Sequence, residues 1–286
     1  MGLPQSNVQQ TAVASLVLAT CLSVAGMAET RKEFHYVVGP HANVSVDTQN
    51  GYISVKPGSG TDVSVTAIVR SEAVEVDQLQ NGNRIEIASH QLQGGADQPG
   101  RVDYELLIPP DATINLHSST GPLSAERLQG DLTLEGTDAV VNIHDVQNGH
   151  VHVRTMRGPI TLTDVSNGHV EIASISGDVH LKSVTGPLVQ ATTGSGKIFY
   201  DGDFSSSGDY RFTTHTGDIQ ALVPANVSAD FKAHSVLGRV QHDFPLQAKH
   251  SRFPVEAGRS FFGTSGQASS EVVLRSFSGR IRLKQR

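Results

Sequence analysis

Residues 149–181, GHVHVRTMRGPITLTDVSNGHVEIASISGDVHL, decide the fold. In this stretch a glycine is followed by alternating outward and apolar positions four times, starting at Gly149, Gly158, Gly168 and Gly177. Period-two alternation is typical of a half-buried β-strand, and the glycines mark the turns between strands. A repeat at a fixed period determines the architecture of a chain. The stretch therefore predicts a stack of short β-strands.

The repeating unit contains two strands and two turns. Four apolar residues, Leu128, Val146, Val165 and Val184, recur at spacings of 18, 19 and 19. A hydroxyl residue of the phrase Ser/Thr-x-x-Gly also recurs, at 155, 174, 193, 214, 235 and 276, and the last interval is about two periods. Two short strands per unit suit one coil of a flattened β-solenoid, in which neighbouring coils lie about 4.8 Å apart. The predicted inward residues are Leu132, Leu134, Val151, Val153, Ile160, Leu162, Val170, Ile172, Val179 and Leu181.

An antiparallel β meander or sandwich is the alternative fold. Asn148-Gly149 and Asn167-Gly168 are residue pairs that favour tight hairpin turns. We favour the solenoid because similar residue types recur at the full repeat spacing as well as at half of it.

The chain divides into three predicted sections. Residues 29–111 form an N-terminal β-strand section, and residues 112–286 form the solenoid-like repeat, with a loop insertion near 244–270. Residues 1–28 are predicted to be a signal peptide, because they lack charged side chains and contain an apolar run from Ala12 to Val24. That run is too short to span a bilayer, so we expect no transmembrane segment after cleavage behind Ala28.

Composition limits the possible functions. Cys21 is the single cysteine and precedes the predicted cleavage site, so the mature chain has no disulfide and no thiolate metal ligand. Lipidation of Cys21 stays open. The net charge is −6, and Lys and Arg are not clustered, which argues against a nucleic acid partner.

The chain resembles the bacterial domain-of-unknown-function family labelled "putative adhesin". The resemblance covers residues 33–286 and rests on the export signal, the strand ending in Ile108-Pro109, the serial Ser/Thr-x-x-Gly units and the closing phrase Leu274–Leu283. It implies an exported β-repeat protein of the cell envelope and supplies no catalytic residues.

Histidines are the first candidate site. His150 and His152 share one face of a strand, and His150 and His169 occupy equivalent repeat positions, so their side chains could approach a common zinc ion. The neighbouring coils carry Asp131 and Pro187 at that position, which breaks the row of ligands. We therefore expect outward polar side chains, no metal and no cofactor.

Asp145 and Asp164 are the second candidate site. They are also one repeat apart, so the pair could act in glycoside hydrolysis or hold calcium. The favoured interpretation is a turn role, because Asp side chains bond to nearby backbone N–H groups. The recurring hydroxyl residues are expected to bond to one another and to the turn backbone.

These observations predict a non-catalytic, exported adhesin-like interaction or scaffold module, located in the periplasm, at the cell surface or outside the cell. Its partner would be an envelope protein or a glycan. The alternative is a β-helix protein that binds or degrades polysaccharide.

Overall fold

The computed structural model describes residues 29–92, 100–243, 246–248 and 258–286. The described residues form β-strands and no helix. The strands before the predicted repeat are β1 (Thr30–Val37), β2 (Asn43–Asn50), β3 (Ile53–Pro57), β4 (Asp62–Val69), β5 (Val74–Asn81), β6 (Arg84–Gln91) and β7 (Val102–Ile108). The later strands are β8 (Thr113–Thr120), β9 (Leu123–Leu128), β10 (Leu132–Asp138), β11 (Val141–Gln147), β12 (Val151–Arg157), β13 (Ile160–Ser166), β14 (His169–Ser174), β15 (Val179–Val184), β16 (Leu188–Thr193), β17 (Ile198–Asp201), β18 (Asp209–Thr214), β19 (Ile219–Val223), β20 (Ala229–Ser235), β21 (Val240–His242), β22 (Gln247–Ala248), β23 (Ser260–Ser265), β24 (Ser270–Ser276) and β25 (Ile281–Gln285).

These strands lie in two sheets that face each other across one core. Sheet A has the order β1-β4-β7-β3-β9-β11-β13-β15-β17-β19-β25-β21, and sheet B has the order β22-β23-β20-β24-β18-β16-β14-β12-β10-β8-β2-β6-β5. Within the repeat, each coil contributes one strand to sheet B and the next strand to sheet A.

Pairing in the repeat is parallel and in register, which confirms the solenoid. Val151 pairs with Val170 in sheet B, and Ile160 pairs with Val179 in sheet A, so each pair is separated in sequence by one predicted repeat. The Asn-Gly turns do not form hairpins. Asn148-Gly149 links β11 of sheet A to β12 of sheet B, so the turn carries the chain across the core from one sheet to the other.

Over residues 132–181 the core consists of stacked aliphatic side chains, as the alternation predicts, whereas further along the chain Tyr200, Tyr210, Phe212 and Phe231 are fully buried as well. All ten predicted inward residues are buried, with exposed fractions of at most 3%. Glycine is required at the turns because successive coils touch there. A Cβ on Gly196 would overlap the carbonyl oxygen of Gly177, and a Cβ on Gly217 would overlap that of Gly196. The glycine that recurs in the sequence therefore allows coils to approach at the parallel-strand spacing.

The order of the last coils in space differs from their order in the chain. In the sequence, the coil of Ser276 comes after the coil of Ser235. In the structure β24 lies between β18 and β20, and β25 lies between β19 and β21. The C-terminal coil is therefore inserted between two coils that precede it in sequence.

The two ends of the stack are built differently from its middle. At the N-terminal end, β2 and β3 pair in parallel with β8 and β9, so the sheets continue across residue 111. Antiparallel β1 and β4 extend sheet A, and β5 pairs antiparallel with β6 at the edge of sheet B. At the other end β23, which lies within the predicted insertion near 244–270, pairs antiparallel with β20.

In the described part of the chain, no helix has the length and apolar character needed to cross a membrane. The predicted signal peptide, which includes Cys21, lies outside the described residues. The predicted cleavage site follows Ala28, and Glu29 is the first residue that the structure describes.

Candidate functional surfaces

The structure places His150 and His169 side by side, as their repeat positions predict. Their ring centroids are 4.7 Å apart. The Nδ1 atom of His150 lies 3.2 Å from Oδ1 of Asp131 in the preceding coil. His152 is directed elsewhere, with Nδ1 3.6 Å from Oε2 of Glu171. The described residues contain no cluster of three or more His, Cys, Asp or Glu side chains arranged to hold a metal ion.

Asp145 and Asp164 stand at bends inside β11 and β13. Their φ angles are 53° and 55°, in the left-handed region, and the equivalent residues Arg127 and Ser183 have φ of 55° and 53°. Asp adopts this conformation more readily than most residues because its short polar side chain bonds locally. Here Oδ1 of Asp145 accepts a hydrogen bond of 3.3 Å from Gln147 Nε2. The bend therefore accepts acidic, basic and hydroxyl residues alike, and both carboxylates lie on the outer surface at these bends.

The recurring hydroxyl residues form the expected row of hydrogen bonds. The Thr155 hydroxyl donates to Ser174 Oγ at 3.1 Å. Thr193 Oγ1 donates to the Gly177 carbonyl and accepts from the Gly196 N–H, both at 3.1 Å. The same double contact recurs at Thr214 and Ser235. These buried hydroxyls tie each turn to the turn of the neighbouring coil.

A groove of about 660 Å³ crosses the outward face of sheet A near its N-terminal end. It spans β1, β4, β7, β3 and β9. Its floor carries short side chains that leave room above the sheet, and longer side chains stand around them. The lining residues are Arg31, Tyr52, Ile53, Ser54, Lys56, Ser64, Thr66, Glu105, Leu106, Leu107, Pro122 and Ser124. Sequence reasoning missed this groove because its residues come from five strands that are distant in sequence.

Tyr52 is fixed in the groove at both ends. Its hydroxyl donates to Glu105 Oε1 at 2.7 Å, and its backbone N–H donates to Asp103 Oδ1 at 3.0 Å. Partial burial, followed by the hydrogen bond to Glu105, raises the pKa of Tyr52 to about 12. The phenol therefore stays neutral at physiological pH, and its hydroxyl remains a hydrogen-bond donor to Glu105.

Asp103 lies below Tyr52 and is fully buried. The Nε atoms of Arg70 and Arg101 each donate to its carboxylate at 2.8 Å. Burial alone would raise the pKa of Asp103, but the hydrogen bonds from Arg101, Arg70 and the Tyr52 N–H lower it overall. A charged carboxylate thus anchors the backbone that carries Tyr52.

A second surface feature is a column of residues at one position of the turn that follows sheet B. Each member comes directly after a buried hydroxyl or its equivalent, one per coil. We call this the apolar column: in spatial order it consists of Met156, Ile175, Gly194, His215, Phe277 and Val236. Met156, Ile175, Phe277 and Val236 are 49, 59, 42 and 41% exposed. The rings of His215 and Phe277 stack with centroids 4.7 Å apart and planes at 6°.

Known proteins share the sequence pattern behind this geometry. The family model described as Toastrack DUF4097 matches residues 41–284. No curated protein matches the chain in sequence.

Three solved structures match this chain at low sequence identity. A "putative adhesin" from Bacteroides fragilis NCTC 9343 is 11% identical, with 89% of this chain and 97% of that chain covered and a TM-score of 0.49. A "putative cell adhesion protein" from Clostridium sporogenes ATCC 15579 is 13% identical, with 90% and 100% covered and a TM-score of 0.28. A "putative adhesin" from Parabacteroides merdae ATCC 43184 is 10% identical, with 90% and 96% covered and a TM-score of 0.30. Likeness at this level transfers no function.

Proposed function

Starting from the membership of this chain in the Toastrack DUF4097 family, we propose that it is a non-catalytic, exported β-repeat protein of the cell envelope that acts as an adhesin-like interaction module. Residues 1–28 would direct export and be removed by cleavage after Ala28. N-terminal sequencing of the secreted chain tests this step, with Glu29 as the expected first residue.

The observation that carries the proposal is the groove on sheet A. A ligand site combines a concave surface with a few polar groups in fixed positions. Ser54, Ser64 and Ser124 offer hydroxyl groups on rigid strands, and Tyr52 offers an aromatic ring held by Glu105 and Asp103. This combination suits an envelope glycan or a polar protein segment laid across the sheet.

A binding experiment with matched variants tests the groove. Ser124→Arg fills it from the outward face of β9. Thr161→Arg places the same side chain on β13, in the same cross-strand row but outside the groove. We expect purified wild-type protein and Thr161→Arg to bind the same envelope polysaccharides or proteins on an array, and Ser124→Arg to lose that binding. Equal binding by both variants would show that the groove is not the site.

Polysaccharide binding or degradation is the second candidate function, and the aromatic ring beside hydroxyl groups favours the binding form. Aromatic faces pack against the apolar faces of sugar rings, and hydroxyls bond to their rims. On a polysaccharide panel we expect retention without turnover. Product release that disappears in Asp145→Asn and Asp164→Asn variants would instead establish a degrading enzyme.

A further inference from the structure

The chain contains four Asn-Gly pairs, and one of them lies in an environment unlike that of the other three. The pairs are Asn50-Gly51, Asn81-Gly82, Asn148-Gly149 and Asn167-Gly168. An asparagine loses its side-chain amide most readily before glycine, because glycine has no side chain to keep its backbone nitrogen away from the asparagine. Gly82 is exposed, whereas the other three glycines are buried. The pairs therefore share one chemistry but differ in whether the fold permits it.

Asn81-Gly82 stands at the tip of the hairpin that joins β5 to β6. Asn81 pairs with Arg84, so Gly82 and Asn83 form a two-residue loop at the edge of sheet B. Gly82 has a φ of 60°, and a Cβ built on it would meet no atom within 4 Å. Within the described part of the chain, neither the Gly82 N–H nor the Asn81 side-chain amide forms a hydrogen bond. Both reacting groups are thus unbonded, and the space beside Gly82 is open.

The other three pairs are held by contacts that the same reaction would have to break. The Gly51 N–H donates to the Thr120 carbonyl at 3.0 Å. A Cβ on Gly149 would overlap the carbonyl oxygen of Gly130, and a Cβ on Gly168 would overlap that of Gly149, so these glycines lie at the contact between successive coils. The reaction needs the peptide before the glycine to rotate, and at these positions that rotation would push neighbouring coils apart.

We propose that Asn81 is a site of spontaneous deamidation and isoaspartate formation in the folded protein. The backbone nitrogen of Gly82 attacks the side-chain carbonyl carbon of Asn81 and forms a bond with it. The side-chain nitrogen leaves as ammonia and takes the proton of the Gly82 amide, and the product is a five-membered succinimide ring. One water molecule then opens the ring. Cleavage of the newly formed bond gives aspartate, and cleavage of the original backbone amide bond gives isoaspartate.

Isoaspartate at this position alters the backbone as well as the charge. The chain of an isoaspartate runs through its side chain, so one extra carbon enters the backbone just before Gly82. The hairpin tip beyond that point is bonded to the segment that leads from β1 into β2. Oδ1 of Asn83 accepts the Gly39 N–H at 2.8 Å, and the Asn83 carbonyl accepts the Asn43 N–H at 2.9 Å. We expect both contacts to weaken in the isoaspartate form.

Ageing of the purified protein at mildly alkaline pH tests the site. Peptide mapping by mass spectrometry should find deamidation at Asn81 about tenfold faster, or more, than at each of the other three asparagines, because those react only after local opening of the fold. In urea, where the fold is lost, the four asparagines should react at similar rates. Asn81→Gln is the matched variant. Glutamine would have to close a less favourable six-membered ring, so this variant should stay unmodified at the hairpin tip.

The proposal is overturned if Asn81 deamidates no faster than the other three asparagines in the folded chain. Amide exchange measured by NMR tests the effect on the hairpin tip. In aged wild-type protein the amides of Gly39 and Asn43 should exchange about tenfold faster than in fresh protein. Asn81→Asp carries the new charge without the extra backbone carbon, so it should exchange them at the original rate, as should aged Asn81→Gln. Unchanged exchange in an aged sample that contains isoaspartate would refute the weakening of the tip.

Discussion

Asp103 is a buried charged residue whose carboxylate holds neighbouring segments of the chain together. Its carboxylate is fully buried, while the side chains of Arg70 and Arg101 that bind it remain 41% and 50% exposed. Burying a charge is costly unless it is paired and hydrogen-bonded, and here two guanidinium groups and one backbone N–H provide the partners. The carboxylate thereby holds β7 against the segment that carries Tyr52.

The lowered pKa of Asp103 predicts an acid limb of stability. Because the folded chain binds this proton less readily than the unfolded chain, the stabilisation is present above the ordinary Asp pKa of about 3.9 and is lost as the pH falls through the lower folded value. We expect Asp103→Asn to reduce the free energy of unfolding at pH 7 by about 1–3 kcal/mol. The difference from wild type should shrink below about pH 4. Urea unfolding at several pH values measures both effects.

Asp77→Asn is the matched control for this prediction. Asp77 is 62% exposed and contacts His90, so its removal should change stability little at any pH. If Asp103→Asn and Asp77→Asn behaved alike, the buried carboxylate would have no special role in stability.

At the scale of the element, the turn after each sheet B strand was predictable from sequence. The Ser/Thr-x-x-Gly phrase predicts the hydroxyl contacts, and the structure gives them, because both partners lie within one repeat or its neighbour. The pairing of His150 with His169 was predictable for the same reason. Asp145 and Asp164 lie at bends whose left-handed backbone the sequence pattern does not give, and the turn role of their side chains stays a prediction.

The hydroxyl row predicts that two adjacent threonines of β16 contribute very differently to the free energy of unfolding. Thr193 is buried and bonds to Gly177 and Gly196, whereas Thr192 points to solvent. Valine has nearly the same shape as threonine but no hydroxyl, so Thr193→Val leaves the Gly196 N–H and the Gly177 carbonyl without that partner. We expect a loss of about 1–3 kcal/mol in the free energy of unfolding. Thr192→Val should stay within about 0.5 kcal/mol of wild type.

Chemical denaturation of both threonine variants provides the measurement. Equal stability of the two would mean that the hydroxyl row does not tie the coils together, and that core burial alone accounts for the stack.

At the scale of the whole molecule, sequence periodicity predicts the strands and turns of one coil but not the order in which the coils stack. The repeat spacing is nearly the same in every coil, so the spacing alone cannot distinguish which coil lies beside which. Residues 224–269 separate Val223 from the C-terminal coil, and that coil fits between two others only because β20 and β21 stand one place further out. The groove could not be predicted from the sequence for a related reason. Three of the strands that line it, β1, β4 and β7, are joined by antiparallel pairing, which the repeat does not encode.

The inserted coil predicts unusual protection for the last residues of the chain. Chain termini usually fray, because few contacts hold them. Here β24 is paired on both sides, with β18 and β20, and β25 is paired on both sides, with β19 and β21. Leu274 and Leu283 are also fully buried. We therefore expect the amides of β24 and β25 to exchange with solvent as slowly as those of β18 and more slowly than those of β1, which has a neighbour on one side only. Hydrogen exchange followed by mass spectrometry resolves these segments. Exchange in β24 and β25 as rapid as in β1 would place the C-terminal coil at the end of the stack, where the chain order alone would put it.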